Sequence, residues 1–191
     1  MLLEIRNFGK KFGQHWIFRH IDFDFKSGKI YGVFGPNGKG KTTFLMTISS
    51  FVRPEEGDIQ LFNDQNEAFN FQDNISLSGP MVELIQELTV KEQYAFQIKN
   101  GFEVAYVFDL KMFDNTLCKH LSSGSKQKLK LNLLLGLKKP VLLLDEPFMN
   151  LDAVSQQTVL QYLNAIKEKQ IVIVASNRLE ETCLFDSLLV L

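Results

Sequence analysis

The spacing of apolar positions changes along this chain, and each change marks a predicted element. Apolar side chains alternate with charged ones over 3–7 and 21–25, which predicts strands with one buried face. Unbroken apolar runs instead predict strands buried on both faces, as in a parallel sheet. Such runs lie at 30–34, 141–144 and 171–175. Further short strands are expected at 58–62, 74–77 and 187–191.

Helical patterns separate these strands. Helices are predicted over 41–50, 122–137 and 153–169, and the segment 89–119 is expected to be mostly helical. In the last helix, the residues expected to face the core are Val154, Leu160, Leu163 and Ile166. Strands that alternate with helices predict an α/β fold with a mostly parallel sheet, and the early alternating strands predict an antiparallel portion beside it.

Composition excludes several classes of protein. The chain has 191 residues, of which 45% are hydrophobic and 23% charged, as in a single globular domain. A net charge of −1 gives no reason to expect a nucleic-acid partner. Cys118 and Cys183 have no CxxC spacing, which is typical of a reducing compartment. With no apolar run near ~18 residues and no signal-peptide pattern, we expect a cytoplasmic chain.

One motif predicts a phosphate cradle. Residues 35–42 read GPNGKGKT, which fits GxxxxGK[ST], and they lie between a predicted strand and a predicted helix. Glycines let backbone N–H groups curl around phosphate oxygens, and the helix N-terminus adds its positive dipole end. The side chain of Lys41 supplies a charge for the β- and γ-phosphates, and the Thr42 hydroxyl is suited to Mg²⁺. The nucleotide-binding residues expected here are Gly35, Asn37, Gly38, Lys39, Gly40, Lys41, Thr42 and Thr43.

A second motif predicts the metal and water side of the same site. The apolar run 141–144 ends in Asp145 and Glu146, which is the Walker B pattern. A strand end beside the phosphate loop would let Asp145 hold Mg²⁺ through a water and let Glu146 act as general base. The alternative for both motifs is structural, namely a glycine-rich turn and a pair of carboxylates that cap the next helix.

Between these motifs, residues 120–128 read HLSSGSKQK and resemble the LSGGQ signature of ATP-binding cassette (ABC) ATPases. Residues 149–152 stand where that family has its D-loop. The resemblance implies one ABC ATPase domain over 1–191, with a P-loop NTPase core and a short helical subdomain at about 81–125. It also implies that Ser122 and Gly124 contact the γ-phosphate bound to a second ABC domain, in a homodimer or heterodimer. Phe12 matches the position that stacks on adenine, although an ordinary core phenylalanine explains it equally well.

Two departures from the family pattern affect the expected activity. Asn177 stands in place of the switch histidine; it can hydrogen-bond a γ-phosphate but cannot carry a charge or shuttle a proton. We therefore expect catalysis by Glu146, Lys41 and Asn177 to be weaker than in a relative with histidine. The Q-loop glutamine is also missing, since residues 78–80 read Ser-Gly-Pro.

Together these features predict an ATP- and Mg²⁺-dependent ATPase, the motor subunit of an ABC transporter. The chain resembles small exporter-type cassettes. It is expected to close as a dimer on ATP, to drive a separate transmembrane permease subunit, and to lie peripherally on the inner face of the cell membrane. Two alternatives are a soluble ABC ATPase that acts on translation factors or DNA, and a nucleotide-binding regulator with little hydrolysis.

Overall fold

The computed structural model describes residues 1–79 and 82–191. Within that part of the chain, strands and helices alternate as expected for an α/β fold. The strands are β1 (Leu2–Phe12), β2 (His15–Lys26), β3 (Ile30–Phe34), β4 (Glu56–Phe62), β5 (Ile75–Ser78), β6 (Val141–Asp145), β7 (Ile171–Ser176) and β8 (Ser187–Val190). The α-helices are α1 (Lys41–Ile48), α2 (Val90–Lys99), α3 (Ser123–Gly136) and α4 (Ala153–Ile166). None of the helices in the described ranges is long and apolar enough to cross a membrane.

The five-stranded sheet has the order β5-β6-β7-β3-β8. The pairings of β6 with β7, β7 with β3 and β3 with β8 are parallel. Every residue of β6 and of β7 is buried, which is why these two strands are unbroken apolar runs rather than alternating ones. The prediction of a mostly parallel sheet is confirmed.

A three-stranded antiparallel sheet, in the order β2-β1-β4, forms the N-terminal portion. The register between β1 and β2 shifts between Ile5 and Phe8. Asn7 lies in this shift with a φ of 47°, and its N–H donates to the Asp22 carboxylate at 2.7 Å. The shift breaks the simple alternation, so that three successive residues, Phe8, Gly9 and Lys10, are all buried.

The chain divides into two compact units. The first comprises Met1–Leu77, Lys139–Glu146 and Leu163–Leu191. Its core includes three buried phenylalanines, with ring centroids 5.3 to 5.9 Å apart for Phe8, Phe18 and Phe44. Such ring pairs add to the burial of apolar surface. The core therefore joins both sheets to α1, the helix that follows the phosphate loop.

The second unit comprises Ser78–Lys138 and Pro147–Tyr162. Its helix α2 begins with a capping box, in which Thr89 and Glu92 satisfy each other's backbone N–H groups. The helix ends at Lys99, and Gly101 follows with a φ of 82°. This unit contains the segment 81–125 that we expected to be a helical subdomain, and it extends beyond that segment; the narrower boundary stays a prediction.

The expectation of a mostly helical segment over 89–119 is wrong beyond Lys99. Residues 102–110 form an irregular stretch that is held by the fully buried Asn132 of α3. The Asn132 side chain donates to the Phe108 carbonyl at 2.8 Å and accepts from the Phe108 N–H at 3.0 Å. Close approach is possible because Gly136 has no Cβ, which would lie 2.2 Å from the Glu103 carbonyl oxygen. Hydrogen bonds to the Asn132 side chain thus satisfy backbone groups of this stretch that hydrogen bonds within a helix would otherwise satisfy.

The predicted core face of α4 is also partly wrong. Val154 is 76% exposed, whereas Val159 and Leu163 are fully buried. Ser155 precedes them on the same face, four residues before Val159. The sequence pattern places Val154 on the core face because valine is apolar, and it leaves Ser155 out because serine is polar. In the fold Ser155 is buried and Val154 is exposed. Leu160 and Ile166 are partly buried.

Candidate functional site

Three neighbouring strands of the parallel sheet end at one edge. In the sheet order, β7 lies between β6 and β3. Phe34 at the end of β3 pairs with Ser176, and Asp145 at the end of β6 pairs with Ala175. The segments that follow these strands therefore start side by side, at the carboxyl edge where α/β sheets bind ligands.

The phosphate loop joins β3 to α1 at this edge. Gly38 and Gly40 have φ values of 82° and 94°, which residues with a side chain rarely adopt. A Cβ on Gly40 would also lie 2.2 Å from the Ile17 side chain. Gly40 is the N-cap of α1, and no side chain of residues 1–79 or 82–191 caps it. The first N–H groups of α1 are thus directed at the loop and suited to bind an anion.

Lys41 crosses the inside of this loop. It is 6% exposed, and its ammonium group donates to the carbonyls of Gly35 at 2.8 Å and Pro36 at 3.2 Å. Its Nζ also lies 4.0 Å from Glu146 Oε1. The sequence-predicted phosphate-binding lysine and general base therefore share one small region. Asn37, Gly38 and Lys39 are exposed on the same loop, and Thr43 lies in the first turn of α1.

Thr42 and Asp145, the two residues expected to hold Mg²⁺, are in direct contact. The Thr42 hydroxyl donates to Asp145 Oδ2 at 2.6 Å. The other oxygen, Asp145 Oδ1, is buried and has no hydrogen-bond partner among the described residues. Burial raises the pKa of Asp145, although the Thr42 hydroxyl and the Lys41 charge act to lower it. A buried carboxylate oxygen without a donor, beside a hydroxyl, is a set of hard oxygen ligands that fits Mg²⁺.

Glu146 has an unusual backbone conformation. Its φ is 51°, in the left-handed region, and its N–H donates to the Ala175 carbonyl at 3.0 Å. A non-glycine residue in this region is strained, and such strain is concentrated at functional sites. Burial raises the pKa of the Glu146 carboxyl, opposed by the nearby Lys41 charge and reinforced by Asp145 and Glu181. A carboxylate with a raised pKa is a better proton acceptor.

Asn177 follows β7 and reaches the phosphate loop. Its side-chain amide donates to Asn37 Oδ1 at 2.7 Å. The structure thus brings the residue in the switch position to the loop that was expected to hold the phosphates. The neighbouring Ser176 hydroxyl donates to the buried carboxylate of Glu181 at 2.6 Å.

A cavity of about 430 Å³ lies against the phosphate loop. It is lined by His15, Trp16, Ile17, Asn37, Gly38 and Lys39. Phe12 is the strand partner of His15 and is 54% exposed, so the core interpretation of Phe12 is wrong. Its ring lies 5.2 Å from the Lys10 ammonium group.

Sequence reasoning missed His15, Trp16 and Ile17 because nothing in a strand pattern shows which residues face a loop elsewhere in the fold. The same is true of Glu181, which is polar in sequence and 5% exposed in the fold. The position of Asn177 was found only through the family resemblance. The serine before it and the glutamate four residues after it are the one local signal that a polar cluster follows β7.

The signature residues lie in the second unit. Ser122 is the N-cap of α3, and its hydroxyl accepts from the Ser125 N–H at 3.1 Å. A Cβ on Gly124 would lie 2.8 Å from the Asn150 carbonyl oxygen, so the backbone of 149–152 also requires glycine there. The two residues thus have structural reasons in this unit, beside the phosphate contacts that the resemblance implies. Of the residues 78–80 that stand where the Q-loop glutamine is expected, Pro80 lies outside the described residues.

Comparisons with known proteins give the family of this chain. The family model described as ABC transporter matches residues 18–149. A probable sulfate/thiosulfate import ATP-binding protein, CysA of Chlorella vulgaris, is 29% identical over 88% of this chain and 77% of its own length. The Fe(3+) ions import ATP-binding protein FbpC of Fusobacterium nucleatum is 31% identical over 88% of this chain and 48% of its own. The chain spans about half the length of several curated relatives that it matches.

Solved structures give the same picture. A putative ABC transporter ATP-binding protein from Pyrococcus furiosus has a TM-score of 0.82 at 25% identity, covering 100% of this chain and 98% of its own. The dimeric bacterial ABC transporter cassette MJ0796 has a TM-score of 0.81 at 20% identity, covering 99% of this chain and 94% of its own.

The fold and the site define an α/β nucleotide-binding domain of the P-loop class. The chain belongs to the ABC transporter family, and it is an ATP-binding cassette of that family. The assignment to this family and the α/β fold expected with it are confirmed.

Proposed function

We propose that this chain binds ATP with Mg²⁺ and hydrolyses it, and that it works as one of two cassettes that drive a membrane subunit. The observation that carries the proposal is the meeting of three strand ends at one edge. There Thr42 contacts Asp145, and Lys41 lies 4.0 Å from Glu146. Nucleotide-binding residues from one segment and acidic residues from another are thus within reach of one triphosphate.

The phosphate loop binds the nucleotide through its backbone and one charge. The N–H groups at the start of α1 and the glycines of the loop surround the phosphates. Lys41 exchanges its two carbonyl partners for phosphate oxygens, which are stronger acceptors because they are charged. The base occupies the cavity beside His15, Trp16 and Ile17, with Phe12 on the paired strand.

Hydrolysis requires a group that accepts a proton from the attacking water. Glu146 is that group, because its carboxyl follows β6 beside Lys41 and its burial raises its pKa. Asn177 donates its amide to the γ-phosphate in the way that it donates to Asn37 here. Thr42 and Asp145 hold Mg²⁺, which neutralises phosphate charge when it is bound.

Two cassettes acting together explain the signature segment. The serine and glycine at 122 and 124 contact the γ-phosphate held by a partner's phosphate loop, and loss of that phosphate opens the pair. The MJ0796 cassette, which shares the fold, is a dimer. The relatives named above are import proteins, whereas the sequence resembles small exporter-type cassettes, so the proposal covers transport without a direction.

A separate membrane subunit contacts the second unit in this proposal, which keeps the chain on the cytoplasmic face of the membrane. That unit has a cavity of about 630 Å³ whose lining includes Tyr94, Ile98, Tyr106 and Leu110. Ile98 is 54% and Tyr106 67% exposed, an unusual cluster of large apolar side chains in water. Ile98→Glu should release the chain from native membranes without changing ATP affinity, whereas Lys99→Glu should do neither.

The first test is calorimetry with Mg-ATP. Wild type should bind, Lys41→Ala should bind about 10- to 150-fold more weakly, and Glu146→Gln should bind normally but turn over far more slowly. Glu168→Gln, an exposed glutamate, is the matched control. Unchanged binding by Lys41→Ala would overturn the proposal.

Dimer formation is tested by light scattering of Glu146→Gln with ATP. In that background, Ser122→Asp keeps a good N-cap for α3 but places a negative charge where the partner's γ-phosphate is expected. The mass should double with ATP in Glu146→Gln, and it should stay that of a monomer when Ser122→Asp is added.

A nucleotide-binding regulator is the second candidate function, favoured by Asn177 in the switch position. Such a regulator would bind Mg-ATP with no turnover above that of Glu146→Gln.

A further inference from the structure

A buried carboxylate follows the switch position by four residues. Glu181 is 5% exposed, and its Oε2 accepts a hydrogen bond of 2.6 Å from the Ser176 hydroxyl. Its Oε1 lies 3.6 Å from the guanidinium of Arg178. Removing a carboxylate from water is costly unless it is well paired, and half of the Arg178 side chain remains in water. A polar residue at this position therefore needs a reason other than packing.

The two partners of Glu181 are the residues on either side of Asn177. The Ser176 oxygen that donates to Glu181 also accepts from the Arg178 backbone N–H at 3.1 Å. The Glu181 N–H in turn donates to the Arg178 carbonyl at 3.1 Å. These contacts fix the backbone before and after Asn177. The Asn177 side chain takes no part in them, so its direction is set by the backbone that they hold.

The contact that Asn177 itself makes is too weak to hold it in place. Its amide donates to Asn37 at 2.7 Å, and Asn37 is exposed. Water competes for hydrogen bonds between such amides, so the bond contributes little to the orientation of either residue. The position of Asn177 beside the phosphate loop must then come from its backbone.

We propose that Glu181 is a positioning residue for ATP hydrolysis, which holds Asn177 toward the phosphate loop through Ser176 and Arg178. This inference rests on the proposed ATPase function. Glu181 touches no nucleotide in this scheme, and its positioning effect is exerted through the side chain of Asn177. Removing it should lower kcat while the affinity for Mg-ATP is kept, because the phosphate loop and Lys41 are unchanged.

A double-mutant cycle tests the inference. The variants are Glu181→Ala, Asn177→Ala and the double variant, with Glu180→Ala as control because Glu180 is an exposed neighbour. Glu181→Ala should lower kcat about tenfold with Kd for Mg-ATP changed less than twofold. In the Asn177→Ala background the same change should alter kcat less than twofold. Glu181→Gln, which can still accept from Ser176, should recover part of the loss.

Equal losses of kcat from Glu181→Ala in both backgrounds would overturn the inference, since they would mean that Glu181 acts independently of Asn177. An unchanged kcat would overturn it as well. If Glu181→Ala does not fold, the same cycle with Ser176→Ala, which removes the linking hydroxyl, gives the same two outcomes. Failure of the proposed ATPase function gives a different result in the wild type. The wild type would then show no Mg-ATP binding, or no turnover above that of Glu146→Gln, and the positioning role would be refuted as well.

Discussion

Replacing Lys41 by methionine gives a sharp prediction, because the lysine lies inside the phosphate loop. Its side chain is 6% exposed, and it donates to two loop carbonyls. Methionine has a similar length and no charge, so it removes the ammonium group without leaving a large cavity. The perturbation therefore separates the charge of Lys41 from the shape of the loop.

The expected magnitude follows from the contacts that Lys41 would make with phosphate. A hydrogen bond to a charged group contributes about 1.5–3 kcal/mol, which corresponds to a loss of about 10- to 150-fold in affinity. At an ATP concentration 100 times the wild-type Kd, binding stabilises the wild type by about 2.7 kcal/mol. If the affinity falls 100-fold, the same concentration stabilises the variant by only about 0.4 kcal/mol.

Thermal unfolding measures this difference directly. For a chain of this size, about 1 kcal/mol shifts the melting temperature by about 2–4 °C. Mg-ATP should therefore raise the melting temperature by about 5–10 °C in wild type and by about 1–2 °C in Lys41→Met. Lys169→Met, at an exposed lysine, should respond like wild type. An equal rise in Lys41→Met and wild type would refute the assignment of the phosphate loop.

Three further predictions concern the switch position, the helix α4 and acid stability. Asn177→His should raise ATP turnover, by up to about 10²-fold; unchanged or lower turnover would contradict the reading of this position. Leu163→Ala should lower the free energy of unfolding by about 2–5 kcal/mol in urea titrations and Val154→Ala by less than about 0.5, so similar losses would contradict the buried face. The pKa of Asp186 is lowered by hydrogen bonds that its carboxylate accepts, first from the Ile30 N–H and then from the Lys167 ammonium group. Its contribution to stability is present above the unfolded value of about 4 and is lost as the pH falls through the lowered folded value, so Asp186→Asn should be less stable than wild type at pH 7 and no less stable near pH 2.

The local signals in the sequence were reliable where one short segment carries its own physics. The unbroken apolar runs became β3, β6 and β7 with nearly the expected bounds, because both faces of those strands are buried. The phosphate loop could be read because glycines at positive φ and a lysine at fixed spacing are required by backbone geometry. These features need no knowledge of distant contacts.

The stretch at 102–110 shows where such signals end. It has a composition compatible with helix, but Gly101 ends α2 and Asn132, from a different helix, supplies the hydrogen bonds that hold it. Asn132 lies in an ordinary helical pattern in the sequence. Only packing decides that its amide faces inward and replaces a backbone ladder.

The sequence by itself determined which strands are buried, and it predicted which residues have the chemistry to bind phosphate or a metal, because those properties depend on residue type and short spacing. The tertiary structure alone decided that β7 lies between β6 and β3. That order brings Asn177 to the phosphate loop and Thr42 to Asp145, two pairs separated by 140 and 103 positions along the chain. The motifs name the residue types that can meet, whereas contacts over such distances are made only when the strands pair in this order.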